Sequence, residues 1–143
     1  MNTIVNFLFA AIKAGAPLLY GTTGEIITEK AGNLNLGVEG LMYMGAFIGF
    51  LTGLYTESLV LSLLAAFAAG VFGSLIYAFL TVTLKANQNV TGLTLTIFGT
   101  GFANFFGEML IAATQGGAPK LSAKFSAKLA EIPIPVLSDI PYI

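Results

Sequence analysis

The sequence has no cysteine, no histidine and no arginine. Without cysteine there is neither a disulfide framework nor a thiolate metal site. Without histidine the commonest general base and metal ligand is gone. Charge is scarce too: 9% of the 143 residues are charged, against about a quarter in an average soluble domain. All the basic residues are lysines and the net charge is −1. That excludes the clustered basic patch a nucleic-acid surface needs. No nucleophile–base pair stands out, which argues against an enzyme. The Ser and Thr residues sit in apolar stretches, where hydrogen bonds to the helix backbone account for them. Met1 to Ile12 lacks the basic start and the small-residue cleavage site of an ordinary signal peptide.

What is present is apolar. Hydrophobic residues make up 56% of the chain, too much for so short a chain to enclose in a soluble core. The surplus must face lipid or another subunit. A hydrocarbon core of about 30 Å takes about 20 helical residues, so charge-free windows mark the spans. Ser58–Leu84 is one, bracketed by Glu57 and Lys85. Gly40–Thr56 and Ala86–Gly107 are two more, and the polar Asn87-Gln88-Asn89 run puts the start of the last helix near Val90. The first segment carries Lys13, Pro17 and Glu25. A lysine at the bilayer centre costs about 3 kcal/mol or more, so Lys13 belongs near an interface, with 4–12 as an interfacial lead-in and Pro17 in the first turn of the span, where its missing N–H costs little. The expected fold is all-α: a polytopic membrane helix bundle with four spans at 14–28, 40–56, 59–84 and 90–113. Residues 114–143 form an aqueous loop, because Gly116-Gly117-Ala118-Pro119 breaks the helix. Lys120, Lys124 and Lys128 follow on one face of a short surface helix, then an extended stretch punctuated by Pro133, Pro135 and Pro141.

Small residues recur at spacing four: Gly45, Gly49 and Gly53; Gly70 with Gly73 on the neighbouring stripe; Gly99, Ala103 and Gly107. Such stripes let helices approach closely in lipid, where packing rather than hydrophobic expulsion drives association. Between the first two spans, two glycines and two asparagines interrupt the apolar pattern at Gly32-Asn33-Leu34-Asn35-Leu36-Gly37, followed by Glu39 and a third glycine, Gly40. Irregular backbone near membrane depth survives only inside protein or beside a water-filled cavity, and transporters use such breaks to meet solute. Asn33, Asn35, Gly37, Glu39 and Gly40 are therefore candidates for the lining or bracing of a solute path, with Glu39 favoured as a brace. The competing reading is an ordinary tight loop with Asn35 as a helix N-cap. Asn87, Gln88 and Asn89 are candidates for capping the fourth span. Glu108, in that span's last third, is a further acid to place.

The stretch Glu25 to Met42 resembles the bacterial ABC-importer permeases for branched-chain amino acids, ribose and simple sugars, especially their nucleoside (guanosine-type) branch. Lys13 to Leu19, Met44 to Phe47, Lys85 to Leu93 and Leu95 to Gly101 continue the likeness in the same order. The resemblance implies the N-terminal part of a longer permease in a bacterial plasma membrane. It implies Lys30 and Lys85 on the cytosolic side and the 114–143 tail outside. It also implies partners: a second permease subunit, a cytosolic ABC ATPase that binds the ATP, an external solute-binding lipoprotein, and the lipid bilayer. No cofactor is expected in this chain and no nucleic acid as a partner. The solute implied first is a nucleoside, then a simple sugar. Two other classes compete. A secondary transporter would want carboxylates deep in its helices, and the third span has none. A small structural or assembly membrane protein would need no ATPase.

Overall fold

The computed structural model describes residues 3–114 and 117–129. Five helices follow in order: α1 (Thr3–Lys30), α2 (Val38–Thr56), α3 (Leu59–Ala78, prolonged by a π-helical turn at Phe79–Thr83), α4 (Gln88–Ala113) and the short α5 (Ala123–Lys128). The first four are long and apolar enough to cross a membrane. The extended stretch expected at 132–143 lies outside the described residues.

The first helix runs from Thr3 to Lys30 without interruption, so the expected lead-in at 4–12 and the span at 14–28 are one element. Pro17 lies well inside it. An unwound turn there would bare polar backbone groups to lipid, which costs more than the missing proline N–H. Thr22, Thr23 and Thr28 donate their hydroxyls to the carbonyls of Leu18, Leu19 and Gly24, at 2.8, 2.7 and 3.0 Å. Their polarity is thereby folded back into the helix. Lys13 sits 5.2 Å from the centre of the Phe9 ring, a cation–π contact one turn away.

The body of the structure is α2 packed between α3 and α4. The buried face of α2 is Gly40, Met44, Gly45, Gly49 and Gly53. A Cβ at Gly49 would stand 3.0 Å from the Ala66 Cβ, and one at Gly45 would stand 3.3 Å from the Ala66 carbonyl oxygen. The absence of side chains there lets α3 approach closely enough for Ser62 Oγ to donate to the Gly49 carbonyl at 2.6 Å. On the other side α2 crosses α4 at Gly40 and Gly99. A Cβ at Gly40 would lie 2.6 Å from the Thr96 Cα, and one at Gly99 would lie 2.6 Å from the Gly40 Cα. The two backbones touch. Further along α4, Phe102 and Phe106 stack 4.7 Å apart between centroids and meet Phe47 of α2.

Two ends of the bundle follow from this order. At one end Glu57 closes α2 in a left-handed conformation (φ 51°), and the Ser58 hydroxyl caps α3 by accepting from the Leu61 N–H. The short α5 returns to this end. Ser122 caps it, and Phe125, 2% exposed, seats its ring against Gly53, where a Cβ would be 2.9 Å from Cζ. Lys128 Nζ donates to the Glu57 carbonyl at 3.3 Å. At the opposite end lie the 31–37 break and the α3–α4 turn, with Lys85 in a left-handed conformation (φ 53°). Lys30 and Lys85 thus share one end, and Glu57 and α5 the other.

Candidate functional site

The 31–37 break is held by side chains from three other segments. Its first part is a helix exit: the Gly32 N–H donates to the Glu29 carbonyl and the Asn33 N–H to the Thr28 carbonyl, with Gly32 at φ 87°. From there the chain leaves the helical ladder, and five of its backbone groups find side chains instead. Gln88 Oε1 accepts the Leu34 N–H at 2.8 Å, while its Nε2 donates to Asn33 Oδ1 at 3.2 Å and to the Gly32 carbonyl at 3.4 Å. Glu25 Oε1 accepts the Asn35 N–H at 2.6 Å. The Tyr77 hydroxyl donates to the Leu34 carbonyl at 2.6 Å. Thr96 Oγ1 donates to the Leu36 carbonyl at 2.7 Å. Asn35 Oδ1 accepts the Gly37 N–H at 2.9 Å, a local turn that feeds the chain into α2. Each interhelical bond of this kind contributes about 0.6–2 kcal/mol in a membrane protein. Together they make the break a fixed node rather than a loose loop.

The side chains expected to matter fall into distinct places. Asn33 and Asn35 are in the node. Gly37 is the N-cap residue of α2, with no side-chain bond of its own, so Asn35 acts two residues before the cap position. Gly37 and Gly92 are buried where α4 passes the break; a Cβ on Gly92 would be 2.7 Å from the Leu36 nitrogen. Glu39 is exposed on the first turn of α2 and makes no hydrogen bond among the described residues. The bracing expected of it is performed by Glu25. The phase of α2 carries Glu39 away from the break, where its charge still complements the helix N-terminus. Asn87 caps α4, accepting the Val90 N–H at 3.2 Å. Gln88 is drawn into the node, and Asn89 is exposed. Glu108 is exposed on the final turns of α4.

Among the small residues, Gly45, Gly49, Gly53, Gly73 and Gly99 each meet a neighbouring segment, Gly73 through the Leu41 side chain. Ala103 is half-buried on α4. Gly70 and Gly107 have nothing within 4 Å of their Cβ positions. Local sequence reasoning missed four residues of the node: Glu25, Tyr77 and Thr96, and the clamping role of Gln88. The available signal was a polar atom carried too far out to fold back onto its own helix, as at Tyr77 in the apolar α3.

An open-sided cavity of about 940 Å³ lies between α1, α2 and α3, and Tyr20 and Phe67 along it are largely exposed. Asn35 of the node forms part of its wall. Pro17, Tyr20 and Gly24 line it from α1, Met42 and Gly45 from α2, and Phe67, Gly70 and Ser74 from α3. The candidate site is therefore a rigid node at one end of the bundle, beside an apolar cavity. It contains no cluster of groups able to hold a metal ion among the described residues.

Comparison with known proteins agrees with that architecture. The family described as the permease component of branched-chain amino acid transport systems matches residues 7–135. TsgC13 of Haloferax volcanii, named as the permease of a glucose ABC transporter, is 38% identical over 122 residues, which is 85% of this chain and 37% of that protein. The guanosine ABC transporter permease protein NupQ of Bacillus subtilis is 33% identical over 138 residues, 92% of this chain and 41% of its own length. The nucleoside ABC transporter permease protein NupC of Lactococcus lactis is 26% identical over 149 residues, all of this chain and 45% of its own length. The chain thus spans less than half the length of the curated relatives it matches. No solved structure matches it. The match across 7–135 and the four apolar helices together make this chain a multi-pass plasma-membrane protein of the branched-chain amino acid transport system permease family.

Proposed function

We propose that the chain supplies part of the solute path of an ATP-driven importer. Nucleosides are the first solute class and simple sugars the second. The observation that carries this reading is the braced break beside the cavity. Asn35 is fixed by Glu25 on one side and forms cavity wall on the other. Irregular backbone of this kind occurs in membrane proteins where it is enclosed by protein or lines a passage, and here both conditions meet at one residue. The relatives named for glucose, guanosine and nucleosides support the solute classes. The break end is then cytosolic and the α5 end external. The partners are a second permease subunit, a cytosolic ABC ATPase that binds and hydrolyses the ATP, and an external solute-binding lipoprotein.

The test is uptake of labelled guanosine and glucose by the full-length permease, reconstituted with its ATPase and binding protein. Uptake should need ATP hydrolysis and survive an uncoupler. Uptake that continues with a hydrolysis-deficient ATPase but collapses with the uncoupler would establish a secondary transporter instead.

A further inference from the structure

The walls of the cavity have three properties that bear on what could occupy it. First, no charged residue lines it. Second, it is kept open by missing side chains. Gly24 of α1 and Gly70 of α3 both line it, and neither has any atom within 4 Å of its Cβ position. Third, it contains polar groups that the protein does not use. Asn35 is only 6% exposed, and its Oδ1 is committed to the Gly37 N–H. Its Nδ2 donates to nothing among the described residues, and Asn35 lines the cavity. Ser74 is the second such group. The hydroxyls of Thr22, Thr23, Thr28, Thr52, Thr94 and Thr100 are all bonded to their own helix backbone. Ser74 makes no such bond and lines the cavity.

We infer that this cavity receives an uncharged solute bearing hydrogen-bond acceptors, which Asn35 Nδ2 and Ser74 Oγ contact and for which Gly70 sets the clearance. This rests on the reading of the chain as part of a solute path and adds to it a location and a selectivity. An amide N–H held in an apolar wall costs free energy until an acceptor reaches it. A solute carbonyl, ring nitrogen or hydroxyl oxygen supplies that acceptor. A solute bearing a carboxylate or a phosphate would find no counter-charge on this wall and would meet the Glu25 carboxylate behind Asn35, whose Oε2 is buried without a partner. The cavity therefore disfavours amino acids and nucleotides. Nucleosides and sugars share the accepted chemistry. Tyr20 and Phe67, both on the wall, offer aromatic faces to a planar base or to the apolar face of a sugar ring.

Because the sequence contains no cysteine, a single introduced thiol reports on its own surroundings. In the assembled full-length transporter, otherwise free of cysteine, Ser74→Cys should react with a small water-soluble methanethiosulfonate. Guanosine or glucose should slow that reaction at least threefold, the more effective of the two identifying the solute class, and leucine should not. Gly101→Cys, with open space around it and no place on the cavity wall, should be unaffected by any solute. Gly70→Leu should lower uptake at least tenfold, while Gly101→Leu, away from the cavity wall, retains it. An inert thiol at Ser74 means a cavity filled by lipid or another helix and overturns the inference. Equal protection by leucine overturns it too, as does Gly70→Leu with normal uptake. ATP dependence measured on the same preparation separates the two levels. Uptake that is ATP-driven yet indifferent to these changes removes only the cavity, whereas ATP-independent uptake removes the importer reading itself.

Discussion

Replacing Gly99 by alanine tests the α2–α4 crossing most directly. The new Cβ would stand 2.6 Å from the Gly40 Cα and closer still to the Gly40 carbonyl. Carbon atoms pack at about 3.5–4.0 Å, so the two helices would have to part by roughly 1 Å. Both obstacles are backbone atoms, and no rotamer change can relieve them. A separation of that size forfeits about a quarter to a half of the dispersion attraction along the seam, and overpacking of this kind costs about 1–3 kcal/mol. The better helix propensity of alanine returns at most about 1 kcal/mol. A net loss of up to about 3 kcal/mol is therefore expected. The same crossing aligns Thr96 with the Leu36 carbonyl, so the node should loosen as well. Gly107→Ala, two turns further along the same helix with open space around it, is the matched control and should be neutral or slightly stabilising. Thermal unfolding of both variants in detergent decides the matter. The reasoning fails if Gly99→Ala melts no lower than Gly107→Ala.

Three further outcomes follow from the contacts described. Gln88→Ala removes the partner of the Leu34 N–H and the Gly32 carbonyl, and should cost about 1–3 kcal/mol and raise amide exchange at Asn33 and Leu34; unchanged exchange would show that the node stands without it. Phe125→Ala empties the seat at Gly53 and should make the α5 segment cleavable by added protease while α2–α4 stay intact, which limited proteolysis with mass spectrometry would read. Glu39→Gln should leave uptake of the full-length permease unchanged and cost no more than about 1 kcal/mol of stability, since the carboxylate makes no hydrogen bond among the described residues; a clear loss of uptake would restore a role for that charge.

The four spans were legible because charge is expensive in lipid, and its absence between Glu57 and Lys85 leaves little choice. The start of α1 was less so: Lys13 and Pro17 argue locally for an interface and a helix start. Continuity from Thr3 comes from the cost of exposing backbone, which no local pattern displays. The break itself was visible in Gly32, Asn33, Asn35 and Gly37. Its partners were not. Glu25 and Glu39 are the same residue type on either side of it, and only the phase of each helix decides which one turns inward. Tyr77 and Thr96 lie 43 and 60 residues from the carbonyls they meet, separations at which sequence spacing says nothing about contact. The glycine stripes show the same limit. Spacing four tells that Gly70 shares a face with its neighbours, but not that the face opens on empty space.

The π-helical turn at Phe79–Thr83 has a consequence for how this chain is aligned with its relatives. A π turn accommodates one residue more than the α-helix around it, and one residue corresponds to about 100° of rotation about the axis. That surplus sits between Tyr77, which reaches the node from α3, and Gln88, which reaches it from α4. The 79–83 segment therefore acts as a spacer that lets the two clamping side chains arrive at one segment from successive helices. A relative one residue shorter there could keep both helices by reverting the turn to ordinary α geometry. A gap in that stretch would then mark a change in how the node is held, rather than a misplaced span.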